Sequence, residues 1–283
     1  MACTANIVVR ATPAFSVLAP APAAAKRLAS SSAAAPAPKL AFLCLHGHAQ
    51  DGEKLRKRTG ALRKTLKSLA EFDFVDSPLV LTESEPEKRS WYRFGGFENG
   101  NRHFDGVEEA LDAVQAAMGR RQYHGVLSFS QGSSVAAFLL AAGRLIRAGL
   151  VEPLEPEARA LVERVPGAAL LKHGVIVSGF VPGDVRMRAV CAAAAEVGGV
   201  SDARVAVVYG EADNDVDPRD TEALFTGGLD ASCTCRTEVK ARMGRLAKPL
   251  FVSPHIVRHP GGHLVPSDAS SRGALKGWLG DNR

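Results

Sequence analysis

Leu40-Ala-Phe-Leu-Cys-Leu45 is apolar at every position and stops at His46-Gly47. A strand with one solvated face alternates apolar and polar residues. A run without alternation is buried on both faces, as in a parallel sheet covered by helices. The same texture returns at Gly125-Val-Leu-Ser-Phe129, Gly174-Val-Ile-Val-Ser178 and Arg204-Val-Ala-Val-Val-Tyr209. Phe72-Asp-Phe-Val75 reads as a further short strand, and Pro249–Val252 with Ile256-Val257 flank a last one. Helical segments separate these runs. Leucines at 55, 62, 66 and 69 set a helical period over 53–69, Gln131 to Ala148 is rich in Ala and Leu, and 217–226 and 267–279 read as helices. Strand and helix alternate throughout. The expected architecture is α/β, a mostly parallel doubly wound sheet with helices on both faces.

Asp105 with Glu108 three residues on forms a capping box for a helix running to about Gly119. Residues 77–104 lack periodicity and read as a long loop over one end of the sheet. Residues 150–173 form a connector that leaves room for a short helix. Residues 227–248 carry Cys233-Thr-Cys235 and several basic side chains, and read as a surface insertion before the last strand.

The 283 residues are 46% hydrophobic and 23% charged, ordinary for a folded chain with a core large enough to need no disulfide staples. No run of about 18 apolar residues exists, so no transmembrane helix is expected. The five cysteines are odd in number and scattered, which favours a reducing compartment. The net charge of +5 is concentrated at the start: residues 1–38 hold Arg10, Lys26 and Arg27 with no acid, leaving +2 for the rest. A body so near neutral has no electrostatic footprint for nucleic acid. The first acidic residue is Asp51, and the Ala/Pro/Ser-rich 1–38 extension has the composition of an organelle transit peptide. Chloroplast and mitochondrion are equally compatible with it. The plain alternative is a disordered tail on a cytoplasmic protein. The expected organisation is this extension followed by one domain over 39–283.

The chemistry concentrates in Val126-Leu-Ser-Phe-Ser-Gln-Gly-Ser-Ser134. A buried strand runs straight into Ser130 and then into a helix of small residues, the setting of a nucleophile elbow. The turn lifts the Ser130 hydroxyl above the sheet edge, where the helix N-terminus favours developing negative charge. Gly132 leaves room where helix and strand pass closely. Ser128 stands where the G-x-S-x-G pattern has its first glycine. The plain alternative is that Ser130 only N-caps the helix.

A nucleophilic serine needs a base, and the base needs an orienting carboxylate, here in the order Ser, acid, His. His259-Pro-Gly-Gly-His263 follows the last strand, and its glycines allow a sharp turn. His263, at the end of that turn, is favoured over His259 and His255. Asp213 follows the strand ending at Tyr209 and takes the place of the acid, with Asp215 and Asp217 as competitors. The backbone N–H groups of His48, beside Gly47, and of Gln131 are the candidate oxyanion donors.

The blocks LCLHGHAQDGEKLRKRTGALRKTL (43–66), FDFVDSP (72–78), SWYRF (90–94), GVLSFSQGSSVAA (125–137), VSGFVP (177–182), VVYGEAD (207–213) and HPGGHLVP (259–266) occur in this order. Together they resemble the fungal-type serine hydrolase (FSH) family of the α/β-hydrolase superfamily. The resemblance implies the α/β-hydrolase fold and Ser130, Asp213 and His263 as the triad. It also implies esterase or thioesterase activity on small-molecule acyl substrates, with no metal and no organic cofactor. Two other readings compete: a phospholipase/carboxylesterase-like hydrolase of long acyl chains, and a non-catalytic binding protein on the same fold. A metal site at Cys233 and Cys235 would lack the second cysteine pair that zinc spacing requires. Trp91, Tyr92, Phe94 and Phe97 either line an acyl pocket or anchor their loop on the core. Arg56, Lys57 and Arg58 read as a solvated face that could attract an acidic group such as a carrier's phosphopantetheine.

Overall fold

The structure, a computed structural model, describes residues 38–98, 101–227 and 246–281. The strands in chain order are β1 (Leu40–Leu45), β2 (Ala70–Val75), β3 (Leu79–Val80), β4 (Arg89–Ser90), β5 (Arg93–Glu98), β6 (Asn101–Asp105), β7 (Gly125–Phe129), β8 (His173–Val177), β9 (Arg204–Gly210) and β10 (His255–His259). The helices are α1 (Gly52–Arg58), α2 (Gly60–Leu66), α3 (Val107–Met118), α4 (Gln131–Ala148), α5 (Pro156–Glu163), α6 (Val185–Glu196), α7 (Pro218–Thr226) and α8 (Ala269–Gly280).

Six strands pair in parallel in the order β10-β9-β8-β7-β1-β2. Alternate residues of each strand serve two separate cores. Leu43, Leu45, Val126, Val205 and Val207 pack with residues of α3, α4, α5 and α6 on one face. Phe42, Cys44, Leu127, Ala206 and Val208 pack with Leu55, Leu62, Leu66, Leu275 and Leu279 from α1, α2 and α8 on the other. Both strand faces are buried, which is why the strands show no alternation. The chain leaves β1 for β2 on one side and returns to β7 on the other. This makes β1/β7 the topological switch point, beyond whose carboxyl ends α/β sheets of this kind generally place their ligand sites.

Several elements differ from the sequence expectation. The helix over 53–69 is two helices, broken at Thr59, whose hydroxyl donates to the Leu55 carbonyl at 2.9 Å. The loop over 77–104 carries two small antiparallel ribbons, β3 with β4 and β5 with β6. Asp105 does not cap α3. The N-cap is Gly106 at φ 82°, where a Cβ would lie 2.3 Å from Leu79, and Glu108 pairs with Arg186 instead. The connector 150–173 holds α5 and a 3-10 turn at Pro166–Leu170. The last strand is His255–His259, while Phe251 makes only an isolated bridge to Val200.

The extension before residue 38, and with it Cys3, Arg10, Lys26 and Arg27, falls almost wholly outside the described residues. So does most of the 227–248 insertion, including Cys233 and Cys235. Cys44 and Cys191 are buried and free. Among the described residues, no helix is long and apolar enough to cross a membrane.

Candidate active site

Ser130 occupies the single residue between β7 and α4 and holds φ 53° and ψ −120°. A non-glycine residue in that region costs about 1–3 kcal/mol and persists only where the surroundings enforce it. Here the Ser130 N–H donates to the Val177 carbonyl at 2.9 Å, and its carbonyl accepts from the Ser133 N–H at 2.8 Å. Its hydroxyl makes no capping bond to the helix, so the plain N-cap reading fails. Gly132 completes the elbow. A Cβ there would lie 2.4 Å from the Leu45 carbonyl oxygen and 2.5 Å from that of His46.

Ser128 fits where the usual pattern has glycine because it faces α4. The Ser133 hydroxyl donates to Ser128 Oγ at 3.0 Å, and Ser128 Oγ lies 3.3 Å from the Val175 carbonyl. The extra hydroxyl is absorbed by a second small polar residue on the helix.

His263 Nε2 lies 2.9 Å from Ser130 Oγ, and His263 Nδ1 lies 2.8 Å from Asp213 Oδ2. The three residues come from the carboxyl ends of β7, β9 and β10. Two backbone bonds register the His259–His263 loop against the loop that carries Asp213. Glu211 N–H donates to the His259 carbonyl at 2.8 Å and Ala212 N–H to the Gly261 carbonyl at 3.2 Å. Gly210 allows this approach, since a Cβ there would sit 2.2 Å from the Gly261 oxygen. Gly261 and Gly262 themselves keep ordinary negative φ, so the turn uses their small size and not a left-handed backbone.

Asp213 Oδ1 accepts the N–H groups of Val216 at 2.9 Å and Asp215 at 3.0 Å, leaving Oδ2 for the imidazole. Burial alone would raise this carboxyl. The Val216 N–H and His263 outweigh it and hold the group below the usual carboxylate range. The competitors have other work. Asp215 contributes its backbone N–H to Asp213, and Asp217 caps α7 through the Arg219 N–H at 2.9 Å. His259 Nδ1 accepts the Gly261 N–H at 3.2 Å, and His255 stacks on Trp278. Phe129 packs its ring 4.7 Å from that of His263, with the Arg58 guanidinium 5.6 Å away over the same ring. Arg56 pairs with Glu53 on the exposed face of α1, and Lys57 is exposed beside it.

The aromatic cluster divides. Trp91 and Tyr92 are buried anchors, Phe94 is 55% exposed, and the side chain of Phe97 is outside the described set. Three polar roles escaped the sequence reading: the ring of His46, the indole of Trp91 and the side chain of Gln131. His46 is wholly buried, with Nδ1–H donating to the Gly47 carbonyl at 2.8 Å and Nε2 accepting the Ser77 N–H at 3.0 Å. Burial lowers its pKa, outweighing the Gly47 carbonyl, which favours the charged ring. Trp91 Nε1–H donates to the His46 carbonyl at 2.8 Å. The left-handed residue of the β1 loop is Ala49, at φ 54°, and not Gly47. A glutamine at the start of an otherwise Ala/Ser-rich buried helix was the one visible sign of this network.

The family model described as "Serine hydrolase (FSH1)" matches residues 36–275. An esterase of Aedes aegypti is 27% identical over 265 residues, covering 88% of this chain and 79% of that protein. Esterase OVCA2 of Danio rerio is 26% identical over 264 residues, covering 85% of this chain and 96% of that one. A crystal structure of esterase PE8 aligns over 86% of this chain and 92% of that chain, with TM-score 0.46 and 19% identity. The match to the family model spans the parallel sheet from β1 to β10, the elbow at Ser130 and the His263 loop, and the chain belongs to the FSH1 family of serine hydrolases.

Proposed function

We propose that this protein hydrolyses carboxylic esters or thioesters by two-step acyl transfer through Ser130, His263 and Asp213. The observation that carries the reading is the unbroken hydrogen-bonded line from Ser130 Oγ through both imidazole nitrogens to Asp213 Oδ2, at 2.9 and 2.8 Å. Such a line leaves His263 Nε2 free to accept the proton of Ser130 while Asp213 fixes the tautomer with its proton on Nδ1.

In the first step Ser130 Oγ attacks the acyl carbonyl and its proton passes to His263 Nε2. The C=O bond opens to an oxyanion, which the N–H groups of His48 and Gln131 stabilise. Loss of one such donor typically costs about 3–4 kcal/mol of barrier. The tetrahedral species collapses, His263 returns the proton to the departing alcohol or thiol, and the acyl group stays on Ser130. Water then attacks the acyl-enzyme with His263 as base, releasing the acid and restoring the serine.

The full-length protein is expected to hydrolyse short-chain p-nitrophenyl esters at a rate insensitive to chelators. It should also react with a fluorophosphonate probe. Absence of both activities would overturn the reading. The N-terminal extension is further proposed to act as an organelle import segment, on its basic, acid-free, Ser/Ala-rich composition. Fusion of residues 1–38 to a fluorescent protein tests this, and a diffuse cytosolic signal would contradict it.

A further inference from the structure

The side chain of Gln131 stands apart from its neighbours on α4. The next residues are Gly, Ser, Ser, Val, Ala and Ala, and all are buried. A buried carboxamide is costly unless each of its polar atoms is partnered. Both atoms are partnered here, and every partner lies in one short segment. Oε1 accepts the Trp91 N–H at 2.9 Å and lies 3.0 Å from the Ser90 hydroxyl, and Nε2–H donates to the Tyr92 carbonyl at 2.8 Å.

Residues 90 and 91 grip the loop after β1. The Trp91 indole N–H holds the His46 carbonyl at 2.8 Å, and Ser90 Oγ lies 3.1 Å from His48 Nδ1. Ser90 has one proton, shared between Gln131 Oε1 and the Tyr92 carbonyl at 2.6 Å, and its oxygen can accept from the imidazole. The carboxamide of Gln131 therefore connects the N-terminus of α4 to both ends of the His46–His48 loop. Those are the two places from which the proposed oxyanion donors come.

We propose that the Gln131 side chain is a positioning residue for oxyanion binding: acting through Ser90 and Trp91, it sets the spacing between the His48 and Gln131 backbone N–H groups. The inference rests on the oxyanion assignment of the proposed mechanism. It adds a role for a side chain that does not touch the reacting atoms. Oxyanion donors act because they are held in place before charge develops, and a misplacement of about 1 Å costs on the order of a hundredfold in rate. A tether between the two loops does that holding.

The test uses full-length protein carrying Gln131→Ala, Trp91→Phe, or both. Gln131→Ala keeps the backbone N–H and removes only the tether. Trp91→Phe removes the indole donor to His46, together with part of a buried ring whose packing loss Tm reports. Four quantities are read: kcat and KM for a p-nitrophenyl ester, the Kd of an alkyl boronic acid that forms a tetrahedral adduct, the pH midpoint of kcat/KM, and Tm.

Gln131→Ala is expected to lower kcat by about 10- to 100-fold, with KM little changed and boronate affinity falling in parallel. The pH midpoint should stay in place, because the His263–Asp213 pair is untouched. Trp91→Phe should act in the same direction, and the double variant should lose no more than Gln131→Ala alone, because both changes cut one connection. The proposal is overturned if Gln131→Ala lowers Tm while kcat and boronate affinity stay at wild-type values, or if the pH midpoint moves. Multiplicative losses in the double variant would also overturn it. Should Gln131→Ala fail to fold, Trp91→Phe decides: wild-type boronate affinity there contradicts the proposal, and weakened affinity with unchanged KM supports it. Failure of the underlying hydrolase reading is separate, since it would show as an inert wild-type protein.

Discussion

The Cβ that Gly132 lacks would sit 2.4 Å from the carbonyl oxygen of Leu45, well inside non-bonded contact distance. Helix α4 meets the end of β1 there, with backbone on both sides and no flexible side chain to move aside. Gly132→Ala is therefore expected to force apart the elbow and the His46–His48 loop. A destabilisation of about 1–3 kcal/mol follows from overpacking of this kind. Urea unfolding checks it, and a wild-type midpoint with wild-type fluorophosphonate reactivity would contradict the packing described.

Asp213→Asn should leave the fold nearly intact, because an amide oxygen can still accept the N–H groups of Val216 and Asp215. It should lower kcat by about three to four orders of magnitude by presenting His263 in the wrong tautomer. Asp215→Asn and Asp217→Asn should be mild, since one acts through its backbone and the other caps α7. Steady-state kinetics on the three variants separates these roles. A severe loss in either of the last two would move the acid assignment.

His46 makes stability pH-dependent. Its folded pKa lies below the ordinary value because burial disfavours the charged ring. Below about pH 6.5 the unfolded chain takes up a proton that the native ring refuses. The His46 contribution is thus intact above that pH and declines as pH falls toward the lowered folded value. Urea unfolding at pH 7.5 and 5.5 should show lower stability at 5.5, and His46→Gln should show a smaller difference. Half-buried His173 and buried His259, also lowered by desolvation, keep that difference above zero. An unchanged difference in His46→Gln would contradict the assignment.

Ser128→Gly restores the commoner elbow residue and tests whether the serine matters. Its hydroxyl accepts from Ser133 at 3.0 Å, so the substitution leaves a buried donor with one partner fewer and should cost about 1 kcal/mol. Ser133 still reaches the Val177 carbonyl at 2.9 Å, which limits the loss. The rate of fluorophosphonate labelling should be close to wild type. A large change in that rate would mean that Ser128 shapes the elbow itself.

What the sequence revealed follows from how local each signal is. The β1, β7, β8 and β9 runs were legible because burial on both faces removes all alternation. The positions of Asp213 and His263 could be singled out because each lies in the loop that follows a recognisable strand, the first loop acidic and the second glycine-bearing. Helix α6 was missed: half of Val185–Glu196 is alanine or cysteine, with little contrast between its faces. The capping box at Asp105 and Glu108 misled because a tertiary contact decided the outcome. Leu79 packs against Gly106, and Glu108 is engaged by Arg186 from a distant helix. The sequence shows Gln131 itself as an odd polar residue on a small-residue helix, but not its partners, which lie about forty residues away in a segment with no periodicity.

The most direct test of the account is fluorophosphonate labelling of the full-length protein, compared with Ser130→Ala under matched conditions. The account predicts rapid covalent labelling of the wild type at a peptide containing Ser130. It predicts none in the variant, together with a fall in esterase turnover of at least about ten-thousandfold. Labelling that persists in Ser130→Ala, or maps to another residue in the wild type, would contradict the assignment of Ser130, His263 and Asp213.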